Sequence, residues 1–261
     1  MIVANELLRY WYKRLPFDAR YDDAFDSLLG EGVTEVCEEF GDNAQANILT
    51  ALYRAEQLKN TYAELGIGED ILDTTLRDIV IWTNTWYSLK QEFGVMEVGW
   101  LEHHFSAKLF RLGRLQFCMG YHDFPDIPAA NITKGDPIME VHIPAGGSMK
   151  PEDCQASIAA ARVFFAKYFP DFHYKAFTCH SWLLDGTLKQ FLDDNSNILQ
   201  FQALFTVAQN DPSDAMLKYI FRWDATREKI AEYEPQSKLA SAVKPYILDG
   251  GLVYESLGWF H

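Results

Sequence analysis

The stretch from Ile138 to Pro170, IMEVHIPAGGSMKPEDCQASIAAARVFFAKYFP, constrains the fold more than any other. A short apolar run, a Pro-Ala-Gly-Gly turn and about five turns of small and apolar residues predict a strand, a tight turn and a helix in direct succession. A strand that feeds a helix through a glycine turn can present backbone N–H groups to an anionic ligand. The helix nevertheless opens Pro151-Glu152-Asp153, placing two carboxylates where a phosphate would sit. The turn marks a site and leaves its occupant open: a pyrophosphate on Gly146, Gly147 and Ser148, or a plain connection in which the glycines supply positive φ.

On either side of this unit the grammar of the chain differs. Asn43 to Leu65 carries apolar residues at close to a 3.6-residue period and stops at Gly66-Ile67-Gly68. Asp70 reads as the N-cap of a second long helix, Ile71 to Phe93, closed by Gly94. Shorter helices are expected over 3–13, 19–29, 33–41 and about 97–109. After Phe110, residues 111–119 alternate apolar and polar, the mark of a strand. Further strands are expected at 138–143, 174–183, 203–208, 216–223 and 252–260, with helices at 151–169, across 185–203 (or two short ones broken near Asn195) and at 235–246. Helices first and strands mixed with helices afterwards predict an α+β protein in two parts, 1–105 and 106–261.

Among the 261 residues, Asp and Glu outnumber Lys and Arg by 37 to 23, a net charge of −14. The excess is concentrated in residues 1–110, which hold 19 acidic against 9 basic side chains. An acidic surface repels phosphate backbones, so no nucleic acid partner is expected. No apolar run approaches the roughly 20 residues of a membrane span, and the first residues lack a signal-peptide pattern, so no membrane association and a cytoplasmic location are expected. The cysteines Cys37, Cys118, Cys154 and Cys179 are scattered, without the spacing of a disulfide framework or a zinc site.

Several stretches together resemble a known family: TLRDIVIW (Thr75–Trp82), WLEHHFSAKLFRLGRLQF (Trp100–Phe117), HIPAGG (His142–Gly147), SIAAARVFF (Ser157–Phe165), FTCHSWLLD (Phe177–Asp185) and NSNILQFQALF (Asn195–Phe205). The chain resembles bacterial acyltransferase-domain proteins with a helical N-terminal domain and a C-terminal domain similar to the GNAT N-acyltransferases. The resemblance implies a GNAT-like mixed β-sheet flanked by helices. It also implies acyl-CoA or acetyl-CoA as co-substrate, with a small-molecule acyl donor and an amine acceptor as partners. By analogy Met139–Ile143 is the strand touching the acyl-pantetheine arm, Gly146, Gly147 and Ser148 form the phosphate turn with Lys150 beside it, and Pro151–Phe169 is the helix behind. GNAT enzymes usually carry Gln/Arg-x-x-Gly-x-Gly/Ala here, whereas this chain reads Pro144-Ala145-Gly146-Gly147-Ser148-Met149. That departure keeps a second reading alongside: a ligand-binding or interaction protein on a GNAT-like scaffold that has lost CoA binding.

For direct transfer the chemistry needs a general base, and the candidates are Glu140, His142 and His180. Alternation along Glu140-Val141-His142-Ile143 puts Glu140 and His142 on one face of the strand, so a carboxylate and an imidazole stand side by side. The competing reading for each histidine is a partly buried side chain bonded to backbone. Cys179 and His180 are sequence neighbours on a strand and point to opposite faces, which makes Cys179 a small core residue rather than a nucleophile. A metal site from His142, His180 and Asp185 lacks tight ligand spacing, and no metal is expected. Arg111 and Arg114, read as one strand, face opposite sides, and either serves as an anion clamp or an ion pair with the acidic helices. Lys150 is the one cation read as close to the turn. His103 and His104 read as surface or junction packing.

Overall fold

The structure, a computed structural model, describes residues 2–30 and 36–261. The chain is α+β and divides into two compact units, one running to Leu112 and taking in Val163–Phe169, the other comprising Gly113–Arg162 and Pro170–His261.

The first unit is helical: α1 (Ile2–Arg14), α2 (Asp22–Gly30), α3 (Ala44–Leu65), α4 (Glu69–Lys90) and α5 (Val98–Phe105), followed by the short strand β1 (Leu109–Leu112). Both ends of α3 are set by local chemistry. The Asn43 side chain accepts the Ala46 N–H at 2.9 Å, and Gly66, at φ 71°, returns its N–H to Tyr62 and Ala63. Such an N-cap contributes about 0.5–2 kcal/mol. The next helix departs from expectation at both ends. It begins at Glu69 with Gly68 as cap, which places Asp70 inside the first turn, and it stops at Lys90 with Gln91 left-handed at φ 54°. Phe93 then leaves the helix for the core, where its ring lies 5.2 Å from Tyr21. Of the helix expected over 33–41, residues 33–35 lie outside the described residues and 36–41 form no helix.

The single strand expected at 111–119 is two, β1 and β2 (Leu115–Tyr121), divided at Gly113-Arg114. Gly113 has φ 77°, and a Cβ there would stand 2.8 Å from Ser157 Oγ. Only glycine meets both conditions, and alternation of residue types does not reveal the break.

The second unit continues with β3 (Pro137–His142), α6 (Pro151–Tyr168), β4 (Phe177–Ser181), α7 (Asn197–Gln202), β5 (Thr206–Pro212), α8 (Ala215–Ile220), α9 (Lys238–Leu248) and β6 (Tyr254–Phe260). Its strands follow the order β2-β3-β4-β6-β5, with β3 and β4 parallel and the other pairs antiparallel. The strand expected at 216–223 is α8 instead. Met216, Leu217, Ile220 and Phe221 fall on one helical face, and all four join an apolar cluster with Leu188, Val243, Ile247 and Val253.

The two faces of the central strands differ in chemistry. Phe117, Met139, Val141, Phe177 and Cys179 share one face and are buried, with Phe117, Phe177 and Phe260 in ring contact. The opposite face carries Gln116, Cys118, Glu140, His142, Thr178 and His180. An apolar cluster of Ile127, Ile132, Ile138 and Leu257, with Phe124 and Trp259 against it, covers part of that polar face.

Candidate active site

The two parallel strands at the centre of the sheet pair over two positions only, Met139 opposite Phe177 and Glu140 opposite Thr178. Among the described residues no further β3–β4 pair follows. Beyond that point β3 stays with β2, through Phe117↔Val141 and Gln116↔His142, while β4 stays with β6, through His180↔Leu257 and Ser181↔Ser256. The sheet therefore opens between Val141 and Cys179. His142 stands two residues past the last shared pair on β3, and His180 stands two residues past it on β4. The two expected histidines thus occupy matching positions on opposite lips of the opening, on the same face.

Each imidazole has a carboxylate neighbour. His142 Nε2 lies 3.3 Å from Glu140 Oε2, and both side chains are about one-third exposed. Room for this carboxylate comes from Gly120 on β2, where a Cβ would stand 2.5 Å from Glu140 Oε1. On the other lip His180 Nε2 is 3.9 Å from Asp211 Oδ2, a contact longer than a hydrogen bond. Gln209 orients Asp211 by donating to both of its oxygens at 2.8 Å, and the Phe124 ring packs 4.8 Å from the His180 ring. Cys179 lies on the buried face, and burial pushes its thiol well above the usual range, so it supplies no thiolate nucleophile. Asp185 is fully engaged in structure: its carboxylate accepts from Thr187 N–H and Oγ1 at 2.8 Å and from Tyr254 N–H at 2.9 Å. Among the described residues no three His, Cys, Asp or Glu side chains are grouped as metal ligands.

Ile143, half-buried, leads out of β3 into the turn, where Gly146 (φ 83°), Gly147 (φ 76°) and Ser148 are exposed. Positive φ at two successive residues is what requires the glycine pair. Lys150 is exposed at the start of α6, and its carbonyl accepts the Asp153 and Cys154 N–H groups at 3.1 Å. Lys150 is not the sole cation near the turn. Arg114 reaches it, Nε donating to Ser148 O at 3.1 Å and Nη1 to Pro144 O at 3.0 Å, so a guanidinium braces both ends of the loop. Ser157 fixes Arg114 in turn by accepting its backbone N–H at 2.8 Å. Sequence reading placed Arg114 on a strand because the break at Gly113 was not visible.

The family model described as GNAT-like C-terminal domain matches residues 109–260, and the one described as N-acyltransferase N-terminal domain matches residues 4–107. The chain belongs to the GNAT-like C-terminal domain family. Among solved structures it is similar to an acyltransferase in complex with decanoyl-CoA, at 27% identity and TM-score 0.73. It also shares the fold of an acyltransferase in complex with decanoyl-CoA and teicoplanin (24%, TM-score 0.72) and of one with CoA and 10C-teicoplanin (24%, TM-score 0.74). Each match covers 83% of this chain, and this chain spans 66% of the length of each of those structures. No curated protein matches the sequence. Among the described residues no helix is long and apolar enough to cross a membrane.

Sequence reading missed Gly120, Asp211 and Phe124, and it named Arg114 as a candidate anion clamp without its contacts to the turn carbonyls. Each acts through strand register or a turn, and none carries a local signature.

Proposed function

We propose that this chain transfers an acyl group from an acyl-CoA thioester to an amine, in a two-part protein whose junction lies near residue 105. The observation that carries this reading is the opening between β3 and β4 with His142 and His180 on its two lips. Strand edges that no longer bond each other offer N–H and C=O groups to an extended chain with amides of its own, and a pantetheine arm is such a chain. The Gly146–Ser148 turn with the Arg114 guanidinium, and Lys150 beside it, would meet the diphosphate.

In the proposed reaction the amine nitrogen attacks the thioester carbon and its proton passes to an imidazole. His142, with Glu140 at 3.3 Å to take up the developing charge, is the first candidate for that base. The C–S bond then breaks and the CoA thiolate leaves, taking a proton from the facing histidine, His180. No covalent enzyme intermediate is needed. Ile143 continues the strand that would border the acyl arm. Decanoyl-CoA and CoA, the ligands of the fold relatives, are the natural first probes.

A second reading, a scaffold without CoA binding, is favoured by one feature: Glu152 and Asp153 occupy the first turn of α6, where a phosphate would otherwise find the helix dipole. Calorimetry with decanoyl-CoA and free CoA separates the two. The transferase reading expects saturable binding of decanoyl-CoA in the micromolar range typical of substrates, roughly 1 µM–1 mM. Absence of heat from either ligand at millimolar concentration would leave only the scaffold.

A further inference from the structure

Gln116 is 1% exposed, yet its side-chain Nε2 finds no acceptor among the described residues. A buried donor without a partner is rare in native structures and calls for a reason, because the unmet group keeps its full desolvation cost. Gln116 sits on β2 directly opposite His142, and the pairing puts both side chains on the polar face. Directly opposed residues in an antiparallel pair have Cβ atoms about 4.5–5.5 Å apart. Gln116 is therefore the cross-strand neighbour of His142 on this face, one strand removed from the opening.

We propose that Gln116 is a hydrogen-bond donor to the carbonyl oxygen of the bound acyl group, an inference that rests on the acyl-transfer reading above. A primary amide suits this task. It carries two N–H donors and no charge, so it polarises a carbonyl without competing with His142 for the amine proton. On β2 and β3 the neighbouring positions of the same face supply no amide: Cys118 is a thiol, Gly120 has no side chain, and Glu140 is a carboxylate. An amide held in place before the ligand arrives also avoids the entropy of ordering a long side chain at the moment of binding.

The test is Gln116→Met, which keeps an unbranched side chain of similar length and removes the amide. If Gln116 serves the acyl carbonyl, the melting temperature is unchanged or higher, since a buried unmet donor has been removed. Affinity for decanoyl-CoA falls about tenfold, the size expected of one neutral hydrogen bond, and affinity for free CoA is unchanged. A melting temperature several degrees lower would show that the amide is structural and overturn the proposal. Equal loss for both ligands would place the contact on the pantetheine arm and overturn it as well. A variant that binds decanoyl-CoA as tightly as the parent overturns this inference alone, whereas a parent that binds neither ligand overturns the acyl-transfer reading and this inference with it.

Discussion

Two carboxylate–imidazole pairs in this chain share nearly the same geometry and differ in surroundings. In the helical unit His104 Nε2 lies 3.1 Å from Asp78 Oδ2, the same oxygen accepts Trp100 Nε1–H at 2.9 Å, and the second imidazole nitrogen faces Trp100 O at 3.2 Å. The side chains of His104 and Asp78 are 1% and 3% exposed. In the sheet unit Glu140 and His142 sit 3.3 Å apart at the edge of an opening, each about one-third exposed. Distance alone does not distinguish them. What differs is the number of fixed partners and the route to solvent: the first pair is closed into the fold, while the second can meet a ligand.

The largest expected effect breaks that comparison directly. Asp78 Oδ2 is the buried acceptor of Trp100 Nε1–H and lies 3.1 Å from His104 Nε2, so Asp78→Asn, which disturbs this sealed network, should destabilise the protein by about 1–3 kcal/mol in a urea titration. Glu140→Gln and His142→Gln should each change stability by no more than about 1 kcal/mol, the range of exposed pairs. Their effect should appear in the transfer rate instead, as a loss of roughly a hundredfold or more for whichever residue is the base. If His142→Gln unfolds as readily as Asp78→Asn, the strand pair is structural too and the contrast collapses. Full rate in both strand variants would move the base to His180.

A smaller effect sharpens the contrast. Gly120 is the position that lets the Glu140 carboxylate lie across β2, and an added Cβ would stand 2.5 Å from Glu140 Oε1. Gly120→Ala keeps every titratable group and shifts only the carboxylate, so the rate should fall by roughly ten- to a hundredfold through misplacement, with the melting temperature little changed. An unchanged rate in this variant would show that the carboxylate need not hold the imidazole.

How far the sequence reveals these features depends on whether the cause is local. The Asn43 cap and the Gly66 stop of α3 lie within a few residues of what they control, and periodicity and capping rules find them. The strand, turn and helix from Pro137 to Tyr168 are legible for the same reason, as is the shared face of Glu140 and His142. Pairing register is not local. Nothing in residues 137–142 or 177–181 states that their hydrogen bonds end at Glu140 and Thr178, so the opening appears only once β2 and β6 have claimed the outer edges. His104 read as surface or junction packing because its partner Asp78 lies 26 residues earlier, on another helix. The 216–223 segment failed differently. Its apolar residues fit a strand and a helix about equally, and the Ser213 hydroxyl, which accepts the Ala215 N–H at 3.2 Å, tips the start toward a helix.

The smallest expected effect concerns a third carboxylate, Asp136, partly exposed and rich in partners. It accepts from Thr133 N–H at 2.6 Å, Thr133 Oγ1 at 2.9 Å and Lys175 Nζ at 2.7 Å, and so closes the loop that carries Phe124 to the His180 ring. The Lys175 hydrogen bond, followed by the Thr133 N–H, holds its carboxyl down from 3.8 to about 2. A carboxyl depressed in the folded state contributes stability that is fully present above its unfolded value and is lost as pH falls through its folded value. The melting temperature of the parent should therefore exceed that of Asp136→Asn at neutral pH by a small margin. That margin should shrink between about pH 4 and pH 2 and vanish below it. Taking the difference between the two curves cancels the other carboxylates that titrate in the same window. A margin that stays constant from neutral pH to pH 2 would mean that the loop is held by its backbone hydrogen bonds, His122 N–H to Asp136 O and Gly135 N–H to His122 O, and that charge at Asp136 adds nothing to them. In that case partners alone, without full burial, do not make a carboxylate matter to the fold, and the seal around Asp78 is the decisive difference between the two pairs.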